Sequence, residues 1–568
     1  MDQLSPDIVL SVRDLSIDFQ LRTHILHAVR HVAFDLKRGS TLALVGESGS
    51  GKSVSARALL RIVDQPGRVV GGLLLLRDTT GEVDIAELNP QSRAMRDIRG
   101  RRIALIFQEP MSSLSPVHTI GSQITEAISV HAKISAARAR EKTIELLRQV
   151  EIPNPETMID RYTFEFSGGM RQRAMIAMAL SGNPEVLIAD EPTTALDVTT
   201  QAEILDLIKR LQTQRGMAML LITHDMGIVA EVADEVAVMR FGRIVEQGAV
   251  DDIFHRPAHP YTRQLLASTV KLEEARNRPQ TPAQPAPILS VRGLTKVYDK
   301  SRGLFARRAA GVRAVDDASF DLFPGENLGI VGESGSGKTT LGRLILRTEE
   351  PTSGTVTYRA KDGSSTEVTA LGKLAMAQFH RDVRLVFQDP FASLNPRLTV
   401  KQVIGDPLVI NRIATGKELD DRVAGLMQLV GLDPLMMERF PHAFSGGQRQ
   451  RIGIARALAL EPRIVIADEA TSALDVSIRA QILDLLLDIR SRVGLSFIFI
   501  SHDISVVRYF CDRVAVMYRG RIVEIGGVEQ ICTSPREAYT QSLISAVPNP
   551  NPREKRMLHR QRFNAVAA

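Results

Sequence analysis

Hydrophobic residues come in short runs that end in a small or an acidic residue. TLALVG (41–46) and NLGIVG (327–332) end in glycine, whereas VLIAD (186–190) and IVIAD (464–468) end in aspartate. Continuous runs of this length, without polar alternation, are typical of strands buried on both faces. Stretches with helical spacing, such as SVSARALLRIV (53–63), follow them. The alternation of strands and helices predicts a parallel α/β sheet.

Two longer stretches have a different pattern. Residues 120–150 and roughly 400–432 contain good helix formers, with apolar positions spaced as on one face of a helix. Each half of the chain is therefore predicted to have an α/β core into which a helical subdomain is inserted.

The chain is an internal duplication. LVGESGSGKS (44–53) recurs as IVGESGSGKT (330–339), and FSGGMRQR (166–173) recurs as FSGGQRQR (444–451). Five motifs return in the same order at nearly constant offset, which indicates two homologous halves. The predicted division is listed here in chain order: a first domain over 1–272, a Pro-rich linker over 273–287, a second domain over 288–547 and a basic tail over 548–568. We expect the tail to be solvated.

Composition narrows the possible functions. The 568 residues are 44% hydrophobic and 24% charged, with a net charge of +6, which does not by itself indicate a nucleic-acid partner. Cys511 and Cys532 are too few for a four-thiolate metal site. No export signal is evident, and no apolar run approaches the roughly 18 residues needed to cross a bilayer. A protein that crosses a membrane by itself is therefore not expected.

The repeated ten letters fit a phosphate-binding loop, G-x-x-x-x-G-K-[ST]. In such a loop, small residues let backbone N–H groups wrap phosphates, the lysine contacts the β- and γ-phosphates, and the hydroxyl binds Mg²⁺. The following helix adds its positive end. The predicted residues are Gly46, Gly49, Gly51, Lys52 and Ser53 in the first half and Gly332, Gly335, Gly337, Lys338 and Thr339 in the second.

Acidic residues follow two of the buried strands. Asp190 and Asp468 end strands at the sheet edge where open α/β sheets bind ligands, and are predicted to hold Mg²⁺. Glu191 and Glu469 come next and are predicted to orient and polarise the attacking water.

Three further features recur after strands or at helix starts. Gln108 and Gln388 can meet the metal and the water, and His224 and His502 can bind the γ-phosphate. A serine followed by two glycines at a helix start presents a hydroxyl and free N–H groups, which suits an anion. These last segments are Ser167, Gly168 and Gly169, and Ser445, Gly446 and Gly447 with Gln448.

Together, these motifs resemble the ATP-binding cassette (ABC) ATPases over almost all of both halves. The resemblance implies two tandem nucleotide-binding domains, each a P-loop (RecA-like) α/β core with an antiparallel β subdomain and an inserted helical subdomain. It implies ATP and Mg²⁺ as cofactors, and ATP hydrolysis as the reaction. Phe19 and Tyr298 are similar in position to the aromatic residue that stacks on adenine in this family.

In this family two cassettes pair head to tail, and each Ser-Gly-Gly signature closes over the other cassette's phosphate loop. The resemblance therefore implies one site made of Lys52, Ser53, Gln108, Asp190, Glu191 and His224 with Ser445, Gly446, Gly447 and Gln448. The other would combine Lys338, Thr339, Gln388, Asp468, Glu469 and His502 with Ser167, Gly168 and Gly169. Met170 departs from the glutamine that is usual in the signature, and we expect at most a mild effect.

FQEPMSSLSPVHTIGSQI (107–124), FQDPFASLNPRLTV (387–400) and HRPAHPYTRQLL (255–266) resemble the dipeptide and oligopeptide importer ATPases in their fused two-cassette form. This implies peptide import through two separate permease subunits, with an extracytoplasmic substrate-binding protein and a peripheral position on the cytoplasmic face of the inner membrane. Permease contact is expected near 108–125 and 388–405. HPYT could also be a simple helix-start turn.

Two other functions stay open at this stage. A soluble twin-cassette ATPase acting on nucleic acid or the ribosome would also lack membrane spans, although no nucleic-acid partner is expected here. A regulatory nucleotide sensor is disfavoured because both halves have complete hydrolytic sets. The transported solute stays open among peptides, glutathione, opines, sugars and nickel.

Overall fold

The computed structural model describes residues 4–78, 81–109, 113–194, 196–273, 286–298, 311–387, 389, 392–472 and 474–563. These residues form two compact units. The first comprises residues up to Thr269 together with Pro548–Arg560, and the second comprises Val270–Val547 together with the residues from Gln561 onward. Most of the predicted linker, residues 274–285, lies outside the described ranges.

The strands of the first unit form two sheets. In chain order they are β1 (Ile8–Gln20), β2 (Ile25–Lys37), β3 (Thr41–Val45), β4 (Gly67–Asp78), β5 (Gly81–Asp84), β6 (Ile103–Ile106), β7 (Val186–Asp190), β8 (Ala218–Thr223), β9 (Glu235–Arg240) and β10 (Arg243–Ala249). One sheet is antiparallel with the order β2-β1-β4-β5. The other has the order β10-β9-β3-β8-β7-β6 and is parallel except for the β9–β10 pair. The predicted parallel α/β core is thus confirmed.

The helices of the first unit flank the parallel sheet or form the inserted subdomain. They are α1 (Lys52–Leu59), α2 (Arg93–Ile98), α3 (Ile120–His131), α4 (Ala136–Gln149), α5 (Pro155–Met158), α6 (Gly168–Leu180), α7 (Val198–Arg215), α8 (Met226–Val232), α9 (Val250–His255) and α10 (Pro260–Glu273). The predicted helical stretch over 120–150 corresponds to α3 and α4, which pack on each other and on α6.

The core explains why the central strands lack polar alternation. Every residue of β3, β7 and β8 is buried. One hydrophobic cluster joins Leu10 of the antiparallel sheet to Leu44 and Ile188 of the parallel sheet. A second cluster packs Val45 against Val229 of α8, on the opposite face. Strands covered on both faces favour apolar side chains on both, so their sequences read as nearly continuous hydrophobic runs.

The second unit repeats this plan. Its strands are β11 (Leu289–Tyr298), β12 (Val312–Leu322), β13 (Asn327–Val331), β14 (Ser353–Arg359), β15 (Ser365–Glu367), β16 (Val383–Val386), β17 (Ile464–Asp468), β18 (Ser496–Ile500), β19 (Arg513–Tyr518) and β20 (Arg521–Gly527). The sheet orders are β12-β11-β14-β15 and β16-β17-β18-β13-β19-β20. The helices are α11 (Lys338–Ile345), α12 (Lys373–Asp382), α13 (Val400–Ile410), α14 (Gly416–Leu429), α15 (Gly446–Leu458), α16 (Val476–Val493), α17 (Ile504–Phe510), α18 (Val528–Thr533) and α19 (Ala538–Ser545).

The C-terminal segment corrects one expectation. We expected the tail to be solvated, but Pro548–Arg560 packs within the first unit, and Met557 is fully buried there. The buried Glu231 carboxylate accepts hydrogen bonds from the backbone N–H groups of Asn549 (3.1 Å), Arg556 (2.9 Å) and Met557 (2.9 Å). Arg553 forms a bidentate ion pair with Asp251 at 2.6 and 2.7 Å. At least one basic residue of this segment, Arg553, therefore meets an acidic partner.

The register of the parallel strands determines where the site lies. Val45 of β3 is opposite Thr223 of β8, and Asp190 of β7 is opposite Ile222 of β8. The three strands therefore end at the same edge of the sheet, and the residues that follow them meet there.

Candidate active site

The first phosphate loop is compact because glycines let it pass close to β9. Gly46 has φ 149°, and a Cβ added there would lie 2.1 Å from the carbonyl oxygen of Met239. Gly51 is left-handed, with φ 103°, and α1 begins directly after it at Lys52. Lys52 is only 6% exposed, and its Nζ donates to the carbonyl oxygens of Gly46 (2.7 Å) and Glu47 (2.9 Å).

The second phosphate loop has the same geometry. A Cβ on Gly332 would lie 2.2 Å from the carbonyl oxygen of Met517. Lys338 Nζ donates to the carbonyl oxygens of Gly332 (2.8 Å) and Glu333 (2.7 Å). Gly335, like Gly49 in the first loop, has a positive φ. Both loops place a buried ammonium group and the start of a helix at the end of a central strand, which is an arrangement suited to binding phosphates.

A hydroxyl and a carboxylate lie side by side next to each loop. Ser53 Oγ donates to Asp190 Oδ1 at 2.9 Å, and Thr339 Oγ1 donates to Asp468 Oδ1 at 3.3 Å. Burial raises the pKa of both aspartates, although the hydroxyl hydrogen bond lowers it in part. The predicted neighbours are therefore brought together in both units.

Glu191 is held by three side chains from different parts of the first unit. Its carboxylate accepts from Gln108 Nε2 (2.7 Å) and Thr194 Oγ1 (2.9 Å) and lies 3.1 Å from His224 Nδ1. Burial alone would raise the pKa of this carboxyl, but the hydrogen bonds from His224 and Thr194 and the charges of His224 and Lys52 lower it to about 2. The carboxylate is thus ionised at neutral pH. Its backbone has φ 46°, a strained conformation for glutamate.

Glu469 has part of this environment. Its carboxylate lies 3.1 Å from His502 Nδ1, its φ is 47°, and its pKa is lowered by His502 against the opposing effect of burial. Ser472 replaces Thr194 and donates to the backbone oxygen of Glu469 instead of its carboxylate. Gln388, which was predicted to join this group, lies outside the described residues.

Each signature serine caps the helix that follows it. Ser167 Oγ accepts from Met170 N (3.3 Å), and Ser445 Oγ accepts from Gln448 N (3.4 Å). Gln448 also accepts from the backbone N–H of Ser445 at 3.0 Å, which completes a capping box. Methionine has no oxygen for this return bond. The physical effect of Met170 is therefore the loss of one helix-capping hydrogen bond.

The two signature glycines have different surroundings. A Cβ on Gly169 would lie 2.7 Å from Thr200 Cγ2, and one on Gly447 would lie 2.6 Å from Ile478 Cγ2. A Cβ on Gly446 would have nothing within 4 Å, and one on Gly168 would make only an ordinary contact with Leu196. Close helix packing therefore requires the second glycine of each signature, and the packing of its own unit does not require the first.

Comparison with known proteins assigns the family. The chain matches the family described as ABC transporter over residues 29–194 and 315–472. It belongs to the ABC transporter family. As a member, it is an ATPase. That the two loops, the acidic pairs and the histidines bind and hydrolyse its ATP stays a prediction. Residues 245–293 and 523–566 also match the C-terminal region of oligopeptide and dipeptide transporters.

The chain is similar in sequence to the glutathione import ATP-binding protein GsiA. Identity is 49% with the protein from Salmonella choleraesuis (strain SC-B67), over 98% of this chain and 92% of that protein. The protein from Escherichia coli O157:H7 gives the same identity and coverage. Among solved structures, the dimeric ATP-binding cassette MJ0796 bound to ADP and Pi is 28% identical, covering 42% of this chain and 98% of that one with a TM-score of 0.37.

The two predicted adenine-stacking residues of this ABC protein differ in environment. Phe19 is partly buried against the core, and its ring lies close enough to Gly67 that a Cβ there would be 2.7 Å away. Tyr298 is 41% exposed, donates its hydroxyl to Glu349, and has Lys296 Nζ 5.2 Å from its ring centroid. A stacking role for either ring stays a prediction.

Sequence reasoning missed two residues that contact the site. Thr194 contacts the Glu191 carboxylate, and the only hint of its role is its position in TTALD, which recurs as TSALD. Tyr261 belongs to HPYT, which could have been a simple turn, yet its hydroxyl reaches the phosphate loop. In the part of the chain that the structure describes, none of the helices is both long and apolar enough to span a bilayer.

Proposed function

We propose that this ABC ATPase drives the import of peptides or peptide-like solutes through separate membrane subunits. The observation that carries the proposal is the repeated hydrolytic set, a phosphate loop and a Glu–His pair at 3.1 Å in each unit, on a chain whose C-terminal regions match those of peptide transporters. The similarity to glutathione importers supports a small peptide-like solute.

The ionised glutamate suggests how water is activated. A carboxylate with a pKa of about 2 is deprotonated at neutral pH and is a weak base, so it is better suited to orienting and polarising water than to removing a proton from it. His224 and Gln108 hold the two carboxylate oxygens from different sides. The lysine and the loop amides would stabilise negative charge on the phosphates.

The residues beside the loop fit Mg²⁺. This ion prefers oxygen ligands and keeps several waters while it bridges phosphates. Ser53 Oγ and Asp190 Oδ1, 2.9 Å apart, are such ligands, and Gln108 would supply its amide oxygen. Thr339, Asp468 and Gln388 would do the same in the second half. The ion would neutralise charge that develops on the transferred phosphate.

The two halves are proposed to pair head to tail within one chain. Support comes from the first signature glycine, because a Cβ at Gly446 would have no described atom of another element within 4 Å, and from Ser445, which opens a helix whose positive end suits a phosphate. In this arrangement Ser445 serves the nucleotide held by Lys52. A disulfide crosslink between S445C and a cysteine at Ser48 should form only with nucleotide bound. Crosslinking that is unchanged by nucleotide would contradict the pairing.

The permease partner is proposed to bind a groove of the helical subdomain. A cavity of about 350 Å³ is lined by Asn395, Leu398, Val403, Asp406 and Arg456. Beside it, Ile410 is 77% exposed. Asn395, Leu398 and Val403 of this cavity fall within 388–405, where the resemblance implies permease contact. The chain would then act on the cytoplasmic face of the inner membrane, and a binding protein would deliver solute outside.

Uptake in a deletion strain tests the proposed function. The deletion strain is given labelled glutathione, dipeptides and longer peptides, and it should lose uptake of one of these classes. The natural chain should restore that uptake, whereas the double variant Glu191→Gln/Glu469→Gln should not. Uptake that is unchanged across the panel would overturn peptide import without affecting the assignment as an ATPase.

A further inference from the structure

The motif HPYT brings a buried tyrosine to the first phosphate loop. Tyr261 lies in α10 and is 3% exposed. Its hydroxyl oxygen accepts a hydrogen bond from the backbone N–H of Glu47 at 3.1 Å. Glu47 is the second residue of the loop, so the contact links the C-terminal region of the domain directly to the loop that binds phosphate.

The second unit has the same contact. Tyr539 in α19 is 4% exposed, and its hydroxyl accepts from the backbone N–H of Glu333 at 3.2 Å. Glu333 is again the second residue of its loop. The two units thus preserve the hydroxyl-to-amide contact, although HPYT of the first half is replaced by EAYT in the second.

The helices that carry the tyrosines are anchored in the same way. Glu246 of β10 accepts from the backbone N–H groups of Ala258 (2.6 Å) and His259 (3.0 Å), just before α10. Glu524 of β20 accepts from the backbone N–H groups of Arg536 (2.9 Å) and Glu537 (3.1 Å), just before α19. In each unit, a carboxylate on the last strand of the larger sheet therefore holds the segment from which the tyrosine helix begins.

The packing around the tyrosine rings is not preserved. The guanidinium carbon of Arg240 lies 4.6 Å from the ring centroid of Tyr261. In the second unit Tyr518 occupies the corresponding position and packs at 4.3 Å from Tyr539, with Phe563 at 5.6 Å. Different neighbours around the same hydroxyl contact indicate that the hydroxyl, rather than the ring packing, is the shared feature.

The tyrosine and the lysine hold different backbone groups of the same loop residue. Lys52 donates to the carbonyl oxygen of Glu47, and Tyr261 accepts from its N–H. The peptide groups on both sides of Glu47 are thus fixed. Because the loop binds phosphate through backbone N–H groups whose directions must be set in advance, fixing its second residue favours the binding-competent shape.

We propose that Tyr261 and Tyr539 are positioning residues for ATP binding, each acting on the phosphate loop of its own unit. They are not catalytic, since each touches the loop rather than the reacting atoms. The inference rests on ATP binding by the two loops and is independent of which solute is transported.

The test removes one hydroxyl at a time from the full-length chain. We expect Tyr261→Phe and Tyr539→Phe each to raise the KM for ATP about fivefold, the effect of losing one hydrogen bond of ordinary strength, with little change in kcat. Photolabelling with azido-ATP, mapped by mass spectrometry, should decrease within residues 1–272 in the first variant. In the second variant it should decrease within residues 288–547.

A matched control separates positioning from general stability. Tyr358 is also 4% exposed, and its hydroxyl is hydrogen-bonded to Asp382 at 2.9 Å, in the antiparallel sheet of the second unit. Tyr358→Phe should lower the melting temperature but leave labelling of both halves intact. Two results would overturn the proposal. One is labelling of Tyr261→Phe and Tyr539→Phe that stays within twofold of the natural chain, and the other is labelling that decreases equally in both halves. Failure of the unaltered chain to label would instead count against ATP binding itself.

Discussion

At the scale of single residues, the two predicted hydrolytic glutamates differ in one hydroxyl contact. Glu191 accepts hydrogen bonds from Gln108 and Thr194 and lies next to His224. In the second unit the hydroxyl that corresponds to Thr194 donates to a backbone oxygen instead. The carboxylate environment therefore differs between the units, in addition to the signature difference between Met170 and Gln448.

Substitution of each glutamate tests whether both sites hydrolyse ATP. Glutamine keeps the shape but removes the negative charge that polarises water, so Glu191→Gln and Glu469→Gln should each lower ATP turnover at least about a hundredfold. Turnover should be measured on the assembled transporter. Glu203→Gln, which alters a surface ion pair with Arg173, is the control and should keep normal turnover. If either site variant keeps turnover, that glutamate is not hydrolytic.

Exchange of Met170 and Gln448, the residues that follow Ser-Gly-Gly, tests whether the capping hydrogen bond stabilises the signature helices. Met170→Gln should restore the return bond to the Ser167 N–H and raise the free energy of unfolding by about 0.5–1 kcal/mol. Gln448→Met should lower it by a similar amount. Chemical denaturation of the two variants measures both changes. Equal effects in the same direction would contradict the capping box as the cause.

At the scale of elements, the predicted site residues lie at the starts of helices and the ends of strands. The parallel strands end at one edge. Helix α1 begins directly after Gly51 of the phosphate loop, and α6 begins directly after Ser167 of the signature. The signature helices α6 and α15 pack closely on α7 and α16 through their second glycine. Glycines therefore set both the path of the phosphate loops and the packing of the signature helices.

Two alanine substitutions separate packing from ligand approach. Gly447→Ala places a Cβ 2.6 Å from Ile478, so it should lower the free energy of unfolding by about 1–3 kcal/mol. Gly446→Ala meets open space and should not destabilise the fold, yet it should reduce ATP turnover if a second cassette closes on this surface. Thermal unfolding and turnover should be measured together. Normal turnover of Gly446→Ala would contradict close approach at this glycine.

At the scale of the whole molecule, the C-terminal segment is part of the first unit. Glu231 is 1% exposed, and three backbone N–H groups of the segment donate to its carboxylate. Loss of the donors to a buried carboxylate strongly destabilises the folded state, because the charge is left buried without hydrogen bonds. Because Glu231 lies in α8, directly after the His224 strand end, the stability of this helix depends on residues more than 300 positions later in the chain.

Truncation tests this dependence. A chain ending at Val547 should lose about 2–4 kcal/mol of protection against opening of α8, measured by hydrogen exchange over residues 226–232. A chain ending at Arg560 is the control, because it keeps the segment and should keep the protection. Unchanged exchange in the chain that ends at Val547 would show that the segment does not stabilise the helix.

Much of the fold could be predicted because local patterns are sufficient for it. Short apolar runs such as TLALV that end in glycine are typical of strands covered on both faces, and the duplicated motifs determined the order of the site residues. Thr194 and Tyr261 could not be predicted, because their roles depend on contacts with Glu191 and Glu47 that the sheet and α10 create. The tail could not be predicted either, since its basic charges are also typical of a solvated end.

The sequence by itself determined that this protein has two α/β domains with a phosphate loop, an acidic pair and a histidine in each, because strand burial and glycine spacing are properties of short segments. Only the tertiary structure decided which hydroxyls reach Glu191 and the phosphate loops, and that Pro548–Arg560 belongs with the first unit. The physical reason is that these contacts join residues far apart in the chain, and their directions depend on how helices and strands pack rather than on local spacing.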